Sequence, residues 1–214
     1  RTGALMCLPF LSTPCRVSII GFLDRVVDLI LPISGASREV AIQILMGAGA
    51  ECSDMVSNGE TAPEFTAPLA DGDVGTFTLS ETLEAEGPIV LAFFPGAFTR
   101  VCNHELDTFQ NRLERFTEHG ATLYGVSVDS PFVLNELRDQ LSLEFDLISD
   151  ANREIIYEYD AATSFDQYGI DELAQRAVFV IDGSGTITYA WIADNPGQEP
   201  DYDEVEAAAR AAAE

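Results

Sequence analysis

Seven residues from Pro88 to Phe94 form an unbroken apolar run, Pro-Ile-Val-Leu-Ala-Phe-Phe, closed by Pro95. A run too short for a helix and apolar at every position reads as a strand buried on both faces, which calls for covering layers on either side. After a short loop, Leu106, Phe109, Leu113 and Phe116 recur at helical spacing with charges between them, until His119-Gly120 ends the pattern. A buried strand feeding directly into an amphipathic helix sets the architecture.

The alternation continues along the chain. Strand patterns at Ala121 to Val128, Asp146 to Ile148, Ala177 to Ile181 and Thr186 to Ile192 are interleaved with helical patterns at Phe132 to Leu141, Arg153 to Tyr159 and Tyr202 to Ala213. A short strand is also expected at Thr76 to Leu79. The last two of the four strands flank Asp182-Gly183-Ser184-Gly185, an antiparallel hairpin signal. The expectation is an α/β chain of thioredoxin-like fold, a mixed central sheet flanked by helices.

Charge divides the chain in two. Residues 1–54 carry 4 Arg against 5 acidic residues, whereas residues 55–214 carry 7 Arg against 31. Three of the four cysteines, Cys7, Cys15 and Cys52, fall in the first segment, which begins at Arg1, and Met55 directly precedes what reads as a domain start. Residues 1–54 are therefore expected to be an extension outside the fold, of the kind a misplaced start site adds, with the domain at 55–214. Asp24, Arg25 and Asp28 interrupt the apolar stretch from Ile19 to Ile33, so it supplies neither a membrane span nor a good signal peptide.

A net charge of -25, with no lysine in the chain, excludes partners that must be met by a cationic surface. Nucleic-acid binding and docking on an anionic membrane are not expected. Like charge at this density repels itself unless salt screens it, and points to a cytoplasmic protein of a high-salt cell.

Cys102 is the one cysteine from Met55 onward. Following a buried strand and a short loop, it belongs to the first turn of the next helix, where unpaired N–H groups and the helix dipole favour a thiolate. Arg100 and Arg176 are candidate cationic neighbours. His104 stands two positions along the helix and faces away from Cys102, so neither a Cys–His dyad nor a metal site is expected, and no cofactor is implied.

Pro95, Thr99 and Cys102, spaced as Pro, three residues, Thr, two residues, Cys, resemble the active-site loop of peroxiredoxins. Ala92-Phe93-Phe94 before it, Glu105 after it, the Ala62-Pro63-Glu64-Phe65 lead-in and the strand Arg176 to Asp182 agree in order and spacing. The resemblance covers roughly residues 57–205. It implies a peroxidase in which Cys102 attacks a hydroperoxide and becomes a sulfenic acid. Thr99, the Val101 and Cys102 N–H groups and Arg176 would then hold the peroxide, Pro95 would shield the sulfur and Glu105 would hold an arginine. With no second cysteine in the domain, it is the one-cysteine type, re-reduced by an external thioredoxin-like, glutaredoxin-like or small thiol; Cys52 could resolve only if the extension folded near the site. A homodimer is also implied. Two other readings are a peroxide sensor or binding module built on the same loop, and a disulfide oxidoreductase, which would need Cys where Thr99 stands.

The acidity yields a first prediction. Raising KCl from about 0.1 M to about 1 M shortens the screening length from about 10 Å to about 3 Å, and the melting temperature is expected to climb across that range. A melting temperature indifferent to salt would contradict a high-salt origin.

Overall fold

In a computed structural model, which describes residues 56–214, the chain folds around a seven-stranded sheet. The boundary expected at residues 54/55, and Cys7, Cys15 and Cys52, lie outside the described residues. The elements in chain order are β1 (Thr66–Ala70), β2 (Val74–Thr78), α1 (Leu79–Glu86), β3 (Ile89–Phe93), α2 (Arg100–Asn111), α3 (Leu113–Thr117), β4 (Thr122–Ser127), α4 (Pro131–Leu141), β5 (Asp146–Ser149), α5 (Ile155–Glu158), β6 (Ala162–Phe165), β7 (Ile170–Ala174), β8 (Ala177–Ile181), β9 (Ile187–Ile192) and α6 (Tyr202–Ala212).

The sheet runs β2-β1-β5-β4-β3-β8-β9. β3, β4 and β5 are parallel, and β8 and β9 join antiparallel beside β3, as the mixed pattern required. β6 and β7 form a separate two-stranded hairpin.

β3 explains why its sequence is apolar throughout. Ile89, Leu91 and Phe93 point into one core, under α1 and α5, while Val90, Ala92 and Phe94 point into the other, under α2, α3, α4 and α6. In the first core, Phe93, Tyr159 and Phe179 meet with ring centroids 5.3 to 5.6 Å apart, and the Tyr159 hydroxyl donates to the Pro63 carbonyl at 3.0 Å, so a buried tyrosine is satisfied. In the second, Leu106 and Phe109 of α2 are fully buried. This packing seats the cysteine-bearing helix on the sheet.

Several boundaries differ from the sequence expectations. The strand expected at Thr76 to Leu79 is β2, and Leu79 instead opens α1, with Leu79 and Leu83 buried on one face. The helix expected from Arg153 begins at Ile155, because Arg153 takes a left-handed conformation (φ 62°). Asp150 accepts from the N–H groups of Glu154, Ile155 and Ile156 and starts the helix there. The long amphipathic pattern after Cys102 is broken at Arg112 into α2 and α3. Neither β1 nor the β6–β7 hairpin was expected.

Gly125 of β4 leaves room for the Leu147 and Phe94 side chains in the layer beneath α2. A Cβ there would lie 2.6 Å from Leu147 Cδ2, 3.2 Å from Phe94 Cε1 and 3.5 Å from Leu106 Cδ2. Gly125→Val therefore overpacks the core and is expected to lower unfolding free energy by about 1–3 kcal/mol, measured by urea denaturation. An unchanged midpoint would show that this contact does not constrain the layer.

Candidate active site

β3 ends at Phe93, and the chain passes through Pro95 to Thr99 before α2 begins. Two features shape this loop. Phe98 holds a left-handed backbone (φ 61°), unusual for a bulky residue and a local cost the surroundings must sustain. Asp129, just past β4, accepts from the Ala97 N–H at 2.7 Å and from the Ser127 hydroxyl at 2.8 Å. The Asp129 carbonyl in turn accepts from the Ser149 hydroxyl at 2.7 Å, so the carboxyl ends of β4 and β5 anchor the loop.

Thr99 stands at the N-cap of α2, but its side chain does not cap the helix; the hydroxyl donates to the Gly96 carbonyl at 3.1 Å. Cys102 follows in the first turn and is 2% exposed. Arg100 is exposed at the start of the helix, whereas Arg176, between β7 and β8, is the cation at the sulfur. Its Nη2 lies 3.5 Å from Cys102 Sγ.

Glu105, three residues after Cys102, shares its helix face and is likewise buried. Its Oε2 accepts from Arg176 Nη1. Burial raises the Glu105 carboxyl above the usual carboxylate range, against the pull of Arg176. Burial also opposes the charge on Arg176, but the Glu105 and Cys102 charges outweigh it and hold the guanidinium above its ordinary value. The two shifts bear on the pair in opposite senses. Direct contact between Nη1 and Oε2 decides for an ion pair with the proton on arginine. Arg176 Nη2 also donates to the Pro196 carbonyl at 3.2 Å, so the loop after β9 braces the guanidinium from its other side.

Pro95 is buried and, with Phe165, Arg176 and Asn195, lines a cavity of about 50 Å³. Arg176 thus contacts both Cys102 and Glu105, Pro95 borders Arg176, and Thr99 is exposed at the helix N-cap. Larger hollows lie elsewhere, one of about 300 Å³ beside β1 and α5, where Glu64, Asp150, Glu154 and Glu158 line it, and one of about 310 Å³ between α3 and α6, lined by both acidic residues and arginines.

His104 is exposed while Cys102 is buried, as opposite faces require. It faces Glu199, with Nδ1 to Oε1 at 2.9 Å. The acidic stretch from Gln198 to Glu206 is partly engaged. Glu199 meets His104, Asp203 pairs with Arg112, and Glu206 pairs with Arg112 and Arg115. Among the described residues there is no cluster of His, Cys, Asp and Glu able to hold a metal ion, and no helix long and apolar enough to cross a membrane.

Asp129, Pro196 and Glu199 were missed in the sequence. The trace that could have found Asp129 is Ser127-Val128-Asp129-Ser130, short polar residues at the carboxyl end of a buried parallel strand, where α/β sheets gather their sites. No sequence signal marks Pro196, because it contributes a carbonyl.

Residues 58–190 match the AhpC/TSA family. The chain is 35% identical over 142 residues to a chloroplastic 2-cysteine peroxiredoxin of Chattonella marina var. antiqua, covering 63% of this chain and 69% of that one. It is 34% identical over 145 residues to alkyl hydroperoxide reductase C of Buchnera aphidicola, covering 63% and 70%. Among solved structures, peroxidoxin BcpB from Mycobacterium tuberculosis superposes with a TM-score of 0.64 at 25% identity, over 73% of this chain and 97% of that one. Sequence kinship and shared fold agree, and the chain belongs to the AhpC/TSA family, that of the peroxiredoxins and alkyl hydroperoxide reductases, which are thiol-dependent peroxidases.

Proposed function

We propose that the protein reduces hydrogen peroxide or an organic hydroperoxide at Cys102 and is returned to its resting state by an external thiol. The observation that carries this reading is the Arg176 guanidinium, fixed by Glu105 and lying 3.5 Å from the buried sulfur in the first turn of α2.

The Cys102 thiolate attacks the hydroxyl oxygen of ROOH. An S–O bond forms, the O–O bond breaks, and RO⁻ departs to take a proton from solvent, leaving Cys102 as sulfenic acid. Negative charge moves from sulfur to the leaving oxygen, so donors arranged around both lower the barrier most at the transition state. Arg176 spans that region, the first-turn N–H groups of Val101 and Cys102 face it, and the Thr99 hydroxyl swings from Gly96 to hold the peroxide. Pro95 keeps water from the sulfur. Glu105 acts through Arg176, aiming it.

A reducing thiol then attacks Cys102 sulfur, expelling the sulfenic oxygen as water and forming a mixed disulfide that a second thiol resolves. Support for an external donor is that Cys102 is the sole cysteine of residues 55–214. The donor is a thioredoxin-like protein or a small thiol. The acidic surface suits a cytoplasm rich in salt, and a homodimer is the assembly we expect.

Cys102→Ser is expected to abolish peroxide consumption in the presence of dithiothreitol, followed by the loss of added hydrogen peroxide; a variant that still consumes it would refute the assignment. Arg176→Lys keeps a charge but loses the fork that spans Glu105 and the sulfur. It should slow oxidation of Cys102 by about 100- to 1000-fold, on the scale of losing one transition-state donor. A stopped-flow rate equal to the parent's would remove Arg176 from the reaction.

A further inference from the structure

Cys102 is closed to any large reactant. With 2% of its surface exposed, its sulfur cannot be approached in line by a thiol carried on a protein surface, although hydrogen peroxide is small enough to enter. Either the first turn of α2 or the loop after β9 must move between the two half-reactions.

The closed form is loosely made at this turn. Thr99 provides no side-chain cap, Phe98 carries a left-handed backbone, and Asn103 Oδ1, Glu105 Oε1 and Arg176 Nε are buried without partners. Each unsatisfied polar atom favours an open form in which water reaches it.

One side-chain bridge spans the two parts that must separate. His104, on the outer face of that turn, meets Glu199 at 2.9 Å, and the Tyr202 hydroxyl donates to the other Glu199 oxygen at 2.7 Å. Burial, then the hydrogen bond to Glu199 and the neighbouring Glu105 and Glu199 charges, raises Tyr202 above its ordinary value, so this hydroxyl stays a donor. Glu199 lies three residues past Pro196, whose carbonyl takes the Arg176 N–H. The bridge therefore ties the cysteine helix to the loop that braces the guanidinium.

We propose that His104 and Glu199 are positioning residues, a latch that holds the first turn of α2 and the 194–200 loop together over Cys102 and must release to admit the reducing thiol. This rests on the reading that an external thiol restores Cys102. One half of the latch is exposed, His104 at 68%, and the other, Glu199, is half-buried at 25% side-chain exposure, so the bridge borders solvent and is weak enough to open within a catalytic cycle.

The test is the labelling rate of Cys102 in the reduced full chain with a fluorescein maleimide, which stands for a bulky reactant, read at the Cys102 peptide by mass spectrometry. His104→Ala and Glu199→Ala should each speed labelling by about two- to fivefold, the range a pair bordering solvent carries. The double variant should be no faster than either single one, because both remove the same bridge. His104→Asn, which retains a donor near the Nδ1 position, should fall back toward the parent rate. Unchanged labelling in both single variants, or additive effects in the double, would overturn the latch. Labelling needs no peroxide, so failure of the peroxidase reading is seen separately, as a parent protein that consumes none.

Discussion

The site depends on a charge held inside the protein, the Arg176 guanidinium against the Glu105 carboxylate, both almost fully buried. Taking such a pair out of water costs more than contact alone returns unless geometry and further hydrogen bonds compensate. Here Arg176 Nη2 reaches both the Pro196 carbonyl and the Cys102 sulfur while Nε is left without a partner, so the sulfur is one of the few groups that complete the guanidinium's surroundings. The same contact holds Arg176 beside the Cys102 sulfur, the reacting atom of the proposed peroxidase, so stability and the proposed chemistry share one constraint.

That constraint is supplied by parts far apart in the chain. Glu105 and Cys102 come from one face of α2, Arg176 from the lead-in to β8, and Pro196 from the loop after β9. β3 and β8 lie side by side in the sheet, Phe93 opposite Ala177, which brings the start of α2 and Arg176 to the same edge. Asp129 fixes the intervening loop from the neighbouring strand. The fold's contribution is to make these meetings obligatory.

Elements with a strong period were legible from residues alone. β3 and β8 are apolar at every position because both their faces are covered, and α2 declares itself through Leu106 and Phe109. β1 was hidden because Thr66–Ala70 contains Pro68 and exposed positions, and pairs at only two register positions with β5. α1 was hidden by its shortness and by a single pair of buried leucines. The β6–β7 hairpin lacks the alternation of a half-buried strand, since most of its residues are exposed or partly so. At the site, side chains with motif spacing were found, whereas supports acting through a carbonyl or a distant carboxylate, Pro196, Asp129 and Glu199, were not.

In the proposed reaction the guanidinium held by Glu105 makes Cys102 selective for the O–O bond rather than merely reactive. The direct measurement is the ratio of the Cys102 rate constant with hydrogen peroxide to that with iodoacetamide, compared between the parent and Glu105→Gln. The account predicts a ratio far above that of a free thiol in the parent and its collapse by at least an order of magnitude in the variant. A ratio that Glu105→Gln leaves unchanged would contradict it.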